Sequence, residues 1–150
     1  MISIRRSNAQ DADFKKLVSL LDAELAALDG DQAAFYAGLN KTADNIDVVV
    51  AYIDGQPVSS GAIRPYTKEQ IEVKRMFTLK EHRGKGIAAE IVRELETWAR
   101  ELGYKELILE TGKRQPWAIA LYKRVGFVSI PNYGHYASDD NSVCFKKSLS

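Results

Sequence analysis

The chain has one cysteine, Cys144, so it can form no intramolecular disulfide and offers no cysteine cluster for a metal. It has no long apolar run, since the longest, VVVAYI from Val48 to Ile53, is far too short to cross a bilayer. Its first residues, MISIRRSNAQDADF, lack the apolar core of a secretory signal. It also lacks a charge excess: 21 Lys and Arg face 20 Asp and Glu, a formal net charge of +1. A near-neutral molecule steers anions weakly, so bulk charge points to no nucleic-acid partner and any bound anion needs a local arrangement to hold it. Repeats, linkers and low-complexity segments are missing as well. What remains is the composition of an ordinary globular protein of 150 residues. A chain of that size buries roughly 70% of the surface its unfolded form exposes. The expectation is one domain over residues 1–150, in a reducing cytoplasm, with no metal and no membrane or nucleic-acid partner.

Along the chain, ISIRR reads as a short strand, and residues 11–28 place Phe14, Leu17, Val18, Leu21, Leu25 and Leu28 at helical spacing. QAAFYAGL suggests a second short helix. Asp47 to Ile53 is a β-branched strand ending in the hairpin signal Asp54-Gly55, with PVSSGAIRPY as its partner, and IEVKRMFTL follows as a third meander strand. From Ile87, the residues Ala88, Ile91, Val92, Leu95, Trp98, Ala99 and Leu102 form a broad apolar stripe opposite Glu90, Arg93, Glu94, Glu96 and Arg100. Gly103 ends this helix, ELILET supplies a strand, and a further helix spans residues 116–125 with proline in its first turn and Gly126 as its stop. FVSIPNY and SVCFKK close the chain as two strands around a polar loop. The fold class expected is α+β, with a mixed, mostly antiparallel sheet of about six to seven strands flanked by about four helices.

Between the third meander strand and the long helix lies HRGKGIA. Glycines at 84 and 86 remove the Cβ atoms that would keep an anion from the backbone. Arg83 and Lys85 add positive charge to the helix N-terminus, whose first amides have no internal partner. A phosphate or pyrophosphate suits such a turn, and so does a solvated strand-to-helix connection. A Walker loop needs lysine and a hydroxyl residue after its last glycine, where this chain has Ile87. A dinucleotide fingerprint could use Ala89 as its third small residue, but the turn follows an antiparallel meander at mid-chain, and too little chain remains to build that fold.

The turn resembles the signature of the GCN5-related N-acetyltransferase superfamily, Arg/Gln-x-x-Gly-x-Gly/Ala, which Arg83-Gly84-Lys85-Gly86-Ile87-Ala88 matches in full. AIALYKRVGF, residues 118–127, is similar to the family's Ala-x-x-Leu-Tyr-x-x-x-Gly-Phe segment, and the element order agrees over nearly the whole chain. The resemblance implies acetyl-CoA as co-substrate, with its pyrophosphate on Arg83, Gly84, Lys85, Gly86, Ile87 and Ala88. It implies that the pantetheine arm pairs with a splayed strand edge near a bulge, at Met76, Phe77 and Thr78, whose amides could polarise the thioester carbonyl. Tyr122 matches the tyrosine that protonates the departing thiolate, a group whose ordinary pKa of about 10 keeps it protonated at neutral pH. The base for the acceptor amine is expected at Glu72, with Glu110 on the next strand as the alternative. Two positions depart from the pattern: Gln115 stands where relatives carry an asparagine that binds the cofactor arm, and Lys80 where they often carry proline.

The acceptor side is expected to draw on Arg64, Tyr66, Arg75, Tyr133, His135 and Tyr136, where two arginines could hold a carboxylate. The activity implied is acetyl transfer to a small primary amine within a ternary complex. Its rivals are a peptide or protein N-acetyltransferase, which needs an open groove, and a non-catalytic acetyl-CoA-binding module. Partners are then a small-molecule amine and at most a second copy of the chain, as a homodimer.

Overall fold

Asp11 starts the first helix by accepting the Phe14 amide at 2.9 Å, which caps a donor that the helix itself cannot satisfy. Such local choices recur throughout the computed structural model, which describes residues 2–30 and 45–149. Strand β1 (Ile2–Asn8) leads into α1 (Ala12–Asp29), and β2 (Asp47–Ile53), β3 (Gln56–Pro65) and β4 (Gln70–Thr78) form the meander. Helix α2 (Ile87–Glu101), β5 (Glu106–Gly112), α3 (Pro116–Arg124), β6 (Val128–Ile130) and β7 (Ser142–Ser148) follow, with 3-10 turns at Lys80–His82 and Gly134–Tyr136. Asp54 and Gly55 both take positive φ, 50° and 80°, as the tight β2–β3 hairpin requires.

The strands form one seven-stranded sheet in the order β1-β2-β3-β4-β5-β7-β6. Every pairing is antiparallel except β4 with β5. The mixed, mostly antiparallel α+β architecture is thus the one anticipated. Three α-helices stand among the described residues, and the fourth expected helix, over QAAFYAGL, lies outside them. The β7 strand covers all of SVCFKK, whereas β6 is shorter than the sequence suggests. β6 ends at Ile130 because Pro131 has no amide to continue the ladder.

Each face of the sheet carries its own core. Val48 and Val50 pack under α1 with Phe14, Leu17 and Leu21, whereas Val49 and Ala51 point to the opposite face, where α2 contributes Ile87, Ile91, Val92, Leu95 and Ala99. A strand covered on both sides explains why β2 reads as an unbroken apolar run instead of an alternating one. Glu96 is buried on α2 but satisfied, 2.7 Å from Lys147 Nζ.

Strand β4 holds the feature on which the site depends. Ser60 pairs with Phe77 but Ala62 pairs with Lys74, so Arg75 and Met76 together face Gly61 alone. This is a β-bulge, with Arg75 at φ 57°. Gly61 makes room for it. A Cβ there would stand 2.4 Å from Met76 Sδ and 2.8 Å from Ile91 Cγ2, so the missing side chain lets both the bulge and α2 close onto β3.

Candidate active site

The parallel β4–β5 ladder covers only Gln70, Ile71 and Glu72 against Glu106, Leu107 and Ile108. Beyond it the strands part, one bent by its bulge and the other held by β7, and a cavity of about 440 Å³ opens between them. Val73 to Thr78 form one wall and Glu110, Thr111 and Gly112 the other. Leu21, Glu24, Leu25 and Asp29 of α1 close one end, and Gln115, Trp117, Leu121, Tyr122 and Arg124 in and around α3 close the other. The cavity therefore passes through the splayed sheet from one face to the other.

The glycine turn borders the same cavity. Gly84 and Gly86 adopt φ 77° and 80°, which side-chain-bearing residues rarely take, and nothing lies within 4 Å of where their Cβ atoms would be. The backbone is therefore reachable by a ligand. The Glu90 amide bonds to the Gly86 carbonyl at 3.2 Å, which leaves the amides of Ile87, Ala88 and Ala89 without a helical acceptor. Arg83 turns inward. Its Nε donates to the Thr78 carbonyl at 2.9 Å, its other nitrogen meets Glu24 at 2.8 Å, and its guanidinium covers the Phe77 ring at 5.6 Å. It thus ties the turn to β4 and α1, whereas Lys85 is exposed and outside the cavity wall.

Two groups with shifted titration, Tyr122 and Glu110, line the cavity. Tyr122, on α3, is buried against Phe127 and Phe145, with ring centroids at 5.6 Å and 6.3 Å. Burial, reinforced by the Glu110 charge, holds its phenol protonated far above neutral pH. Glu110, on β5, accepts the Ser142 hydroxyl at 2.7 Å. Burial pushes its carboxyl up to about 7 against the opposing pull of Ser142 and Lys74. A phenol held protonated and a carboxyl pushed up to about 7 thus line one cavity, groups able in type to give and to take a proton there.

Of the residues singled out in the sequence, Met76, Phe77, Thr78, Arg83, Gly84, Gly86, Ile87, Ala88, Gln115 and Tyr122 all line this cavity. Glu72 does not. It is buried beside it, accepting the Tyr133 hydroxyl and lying 3.8 Å from Lys74 Nζ. Tyr66, Tyr133 and Tyr136 do assemble, ring edge to ring face at 5.2 Å and 6.0 Å, but none of them, nor Arg64 or His135, lines the cavity. Arg75 lines it with its guanidinium paired to Asp22, so the two arginines form no carboxylate clamp. Ser142, Asn141 and Trp117 escaped the sequence reading. The pairing of Gly112 with Ser142 across β5 and β7 brings the serine beside Glu110, and that register is a tertiary fact. Among the described residues no group of three or more His, Cys, Asp and Glu could hold a metal ion, and no helix is long and apolar enough to cross a membrane.

A family model described as Acetyltransferase (GNAT) family matches residues 14–127. An IAA acetyltransferase of Azospirillum brasilense is 35% identical over 147 residues, covering 97% of this chain and 95% of that protein. N-acetyltransferase 8 of Homo sapiens is 36% identical over 57% of the chain, which spans only 36% of that longer protein. Among solved structures, a candidate acyl-CoA N-acyltransferase of Klebsiella pneumoniae superposes with a TM-score of 0.84 at 30% identity, over 100% of this chain and 99% of that one. A GNAT family acetyltransferase of Elizabethkingia anophelis, solved with acetyl-CoA bound, shares the fold with a TM-score of 0.72 at 15% identity, over 98% of this chain and 97% of its own.

Proposed function

The chain belongs to the GNAT family of acetyltransferases, and on that footing we propose that residues 1–150 act as one domain that moves an acetyl group from acetyl-CoA directly to the primary amine of a small molecule. The observation that carries this reading is the shared cavity. A glycine turn with open Cβ positions, an unpaired strand edge, a buried tyrosine and a carboxylate near neutrality all border it.

The residues fit the donor. The amides of Gly84, Gly86, Ile87 and Ala88 receive the pyrophosphate, Lys85 adds charge from the rim, and Arg83 fixes the turn. Met76, Phe77 and Thr78 present a β4 edge that β5 does not use, and Gln115 faces the same arm from the start of α3. Acetyl-CoA supplies the acetyl group and a thiolate leaving group. Tyr122 hands that sulfur its proton. Glu110 takes the proton of the incoming ammonium, because it lines the cavity whereas Glu72 is held outside it by Tyr133 and Lys74. Glu72 then acts as a neighbouring negative charge that raises Glu110.

An ion pair at 3.4 Å ties Asp29, at the α1 end of the cavity, to Arg114 in the β5–α3 connection. That closure favours a small acceptor over a polypeptide lying in a groove. The single, buried Cys144 fits a reducing cytoplasm, which belongs to the same proposal. Purified protein with acetyl-CoA, assayed for free-thiol release over amino acids, polyamines, aminoglycosides and peptides, tests it. Turnover confined to small amines is expected. Turnover with peptides alone, or binding of acetyl-CoA with no turnover at all, contradicts it.

A further inference from the structure

Ser142 Oγ lies 2.7 Å from Glu110 Oε2 and 2.8 Å from Asp139 Oδ2. A hydroxyl carries one proton and can donate to only one of them. With both carboxyls ionised, the second contact would set lone pair against lone pair at hydrogen-bond distance. Both contacts are hydrogen bonds when one of the two carboxyls carries a proton and donates it to Oγ. Two arrangements satisfy every contact: Glu110 protonated, donating to Ser142, which donates to Asp139, or the mirror case. They interconvert by moving two protons along the chain, with no heavy atom displaced.

The three groups also differ in position. Glu110 faces the reaction cavity, Ser142 is buried, and Asp139 is half-buried in the loop before β7. Asp139 and Ser142 are pinned: Asn132 Nδ2 donates to the carbonyls of both, at 3.1 and 3.0 Å, and the Asn141 amide donates to Asp139 Oδ1 at 3.0 Å. We propose that Glu110, Ser142 and Asp139 form a proton relay that carries the acceptor amine's proton from the cavity to solvent. This rests on the assignment of Glu110 as the base.

The proton balance requires such an exit. An acceptor arriving as an ammonium loses two protons on becoming an amide. One restores Tyr122 after the tyrosine has protonated the leaving sulfur. The other must reach bulk water, and for Glu110, only partly exposed at the cavity wall, Ser142 offers a way out that does not cross the cavity. In the relay, the cycle starts with Glu110 ionised and Asp139 holding the shared proton: Glu110 takes the amine's proton, Asp139 releases its own at the surface, and Glu110 then passes a proton to Ser142 Oγ as the serine's moves to Asp139, which restores the start. The charged and titratable groups facing the chain are Glu72 and Lys74 from β4, Tyr122 from α3, Tyr136 from its 3-10 turn, Cys144 from β7 and Asp29 from α1. Lys74 alone among these favours the ionised form of Glu110.

Carbon-13 NMR of protein labelled at Asp and Glu carboxyls, assigned with Glu110→Gln and Asp139→Asn, reads the shared proton without any acceptor present. In the wild type, both resonances should move together in two coupled steps across the neutral range. In Ser142→Ala, each should titrate singly. With the fastest amine of the thiol-release panel, Ser142→Ala should lower kcat about tenfold or more. Its acetyl-CoA affinity should not change, and Ser142→Thr, or imidazole added to Ser142→Ala, should restore part of the rate. Independent single-step titrations in the wild type, or an unchanged kcat in Ser142→Ala, overturn the relay and leave Glu110 as base if Glu110→Gln is inactive. Wild-type turnover in Glu110→Gln removes the base and the relay together.

Discussion

Tyr122 and Glu110 owe their chemistry to burial, and each can be altered with little change in shape. Tyr122→Phe removes one oxygen from a packed ring. Turnover should fall about a hundredfold, while acetyl-CoA binding measured by calorimetry stays within about twofold. Equal losses in both would make the tyrosine a packing residue. Glu110→Gln should cut the neutral-pH turnover to a low residual rate and, unusually for an active-site change, stabilise the fold at alkaline pH. The folded-state pKa lies at about 7 against an ordinary 4.5. The folded protein therefore holds this proton more tightly than the unfolded chain, and the stability this lends is complete below about 4.5 and lost as pH rises through about 7. That shift corresponds to about 3 kcal/mol, so above pH 7 the glutamine variant should resist urea better than the wild type, and below pH 4.5 the two should converge. At this scale the sequence foretold which residues border the cavity where a motif surrounds them, as for Gly84, Gly86 and Tyr122. It was not readable for Glu110 against Glu72. Both are strand carboxylates with basic neighbours, and only the splay of the sheet decides which one meets the cavity.

The elements divide in the same way. Helix α2 was legible from its stripe, because a single buried face leaves a 3.6-residue period in the chain. The β2–β3 hairpin was legible from Asp54-Gly55, because few dipeptides tolerate two positive φ values. The bulge in β4, found at Arg75 and Met76, was anticipated only through the family resemblance, since Arg75 at φ 57° carries no residue-type signal. Gly61 is the counterpart that shows its cost. Gly61→Ala should destabilise the protein by about 1–3 kcal/mol, because the new methyl meets Ile91 and Met76 inside normal contact distance. It should also weaken acetyl-CoA binding by shifting the bulged edge. Chemical denaturation and calorimetry on the same sample check both. Loss of stability with unchanged affinity would separate the bulge from the donor site. The β5–β7 register, which brings Ser142 to Glu110, depends on two strands separated by α3, β6 and a loop with its 3-10 turn, and no local pattern encodes it.

Across the whole molecule, the cavity joins α1, the β4 edge, the α2 turn and α3, so a ligand seated there ties together elements distant in sequence. Acetyl-CoA at about 100 times its dissociation constant should add about 2.7 kcal/mol to stability. For a chain of this size that raises Tm by roughly 5–10 °C. The near-neutral net charge means that this affinity comes from the turn and the strand edge instead of the overall field. The account as a whole is tested most directly by the pH dependence of kcat/KM for acetyl transfer to the preferred amine, in wild type and in Glu110→Gln. It predicts a rate that falls below an apparent pKa of about 7 in the wild type and a residual, low rate without that limb in the variant. A wild-type rate flat across neutrality, or the same limb retained in Glu110→Gln, would contradict it.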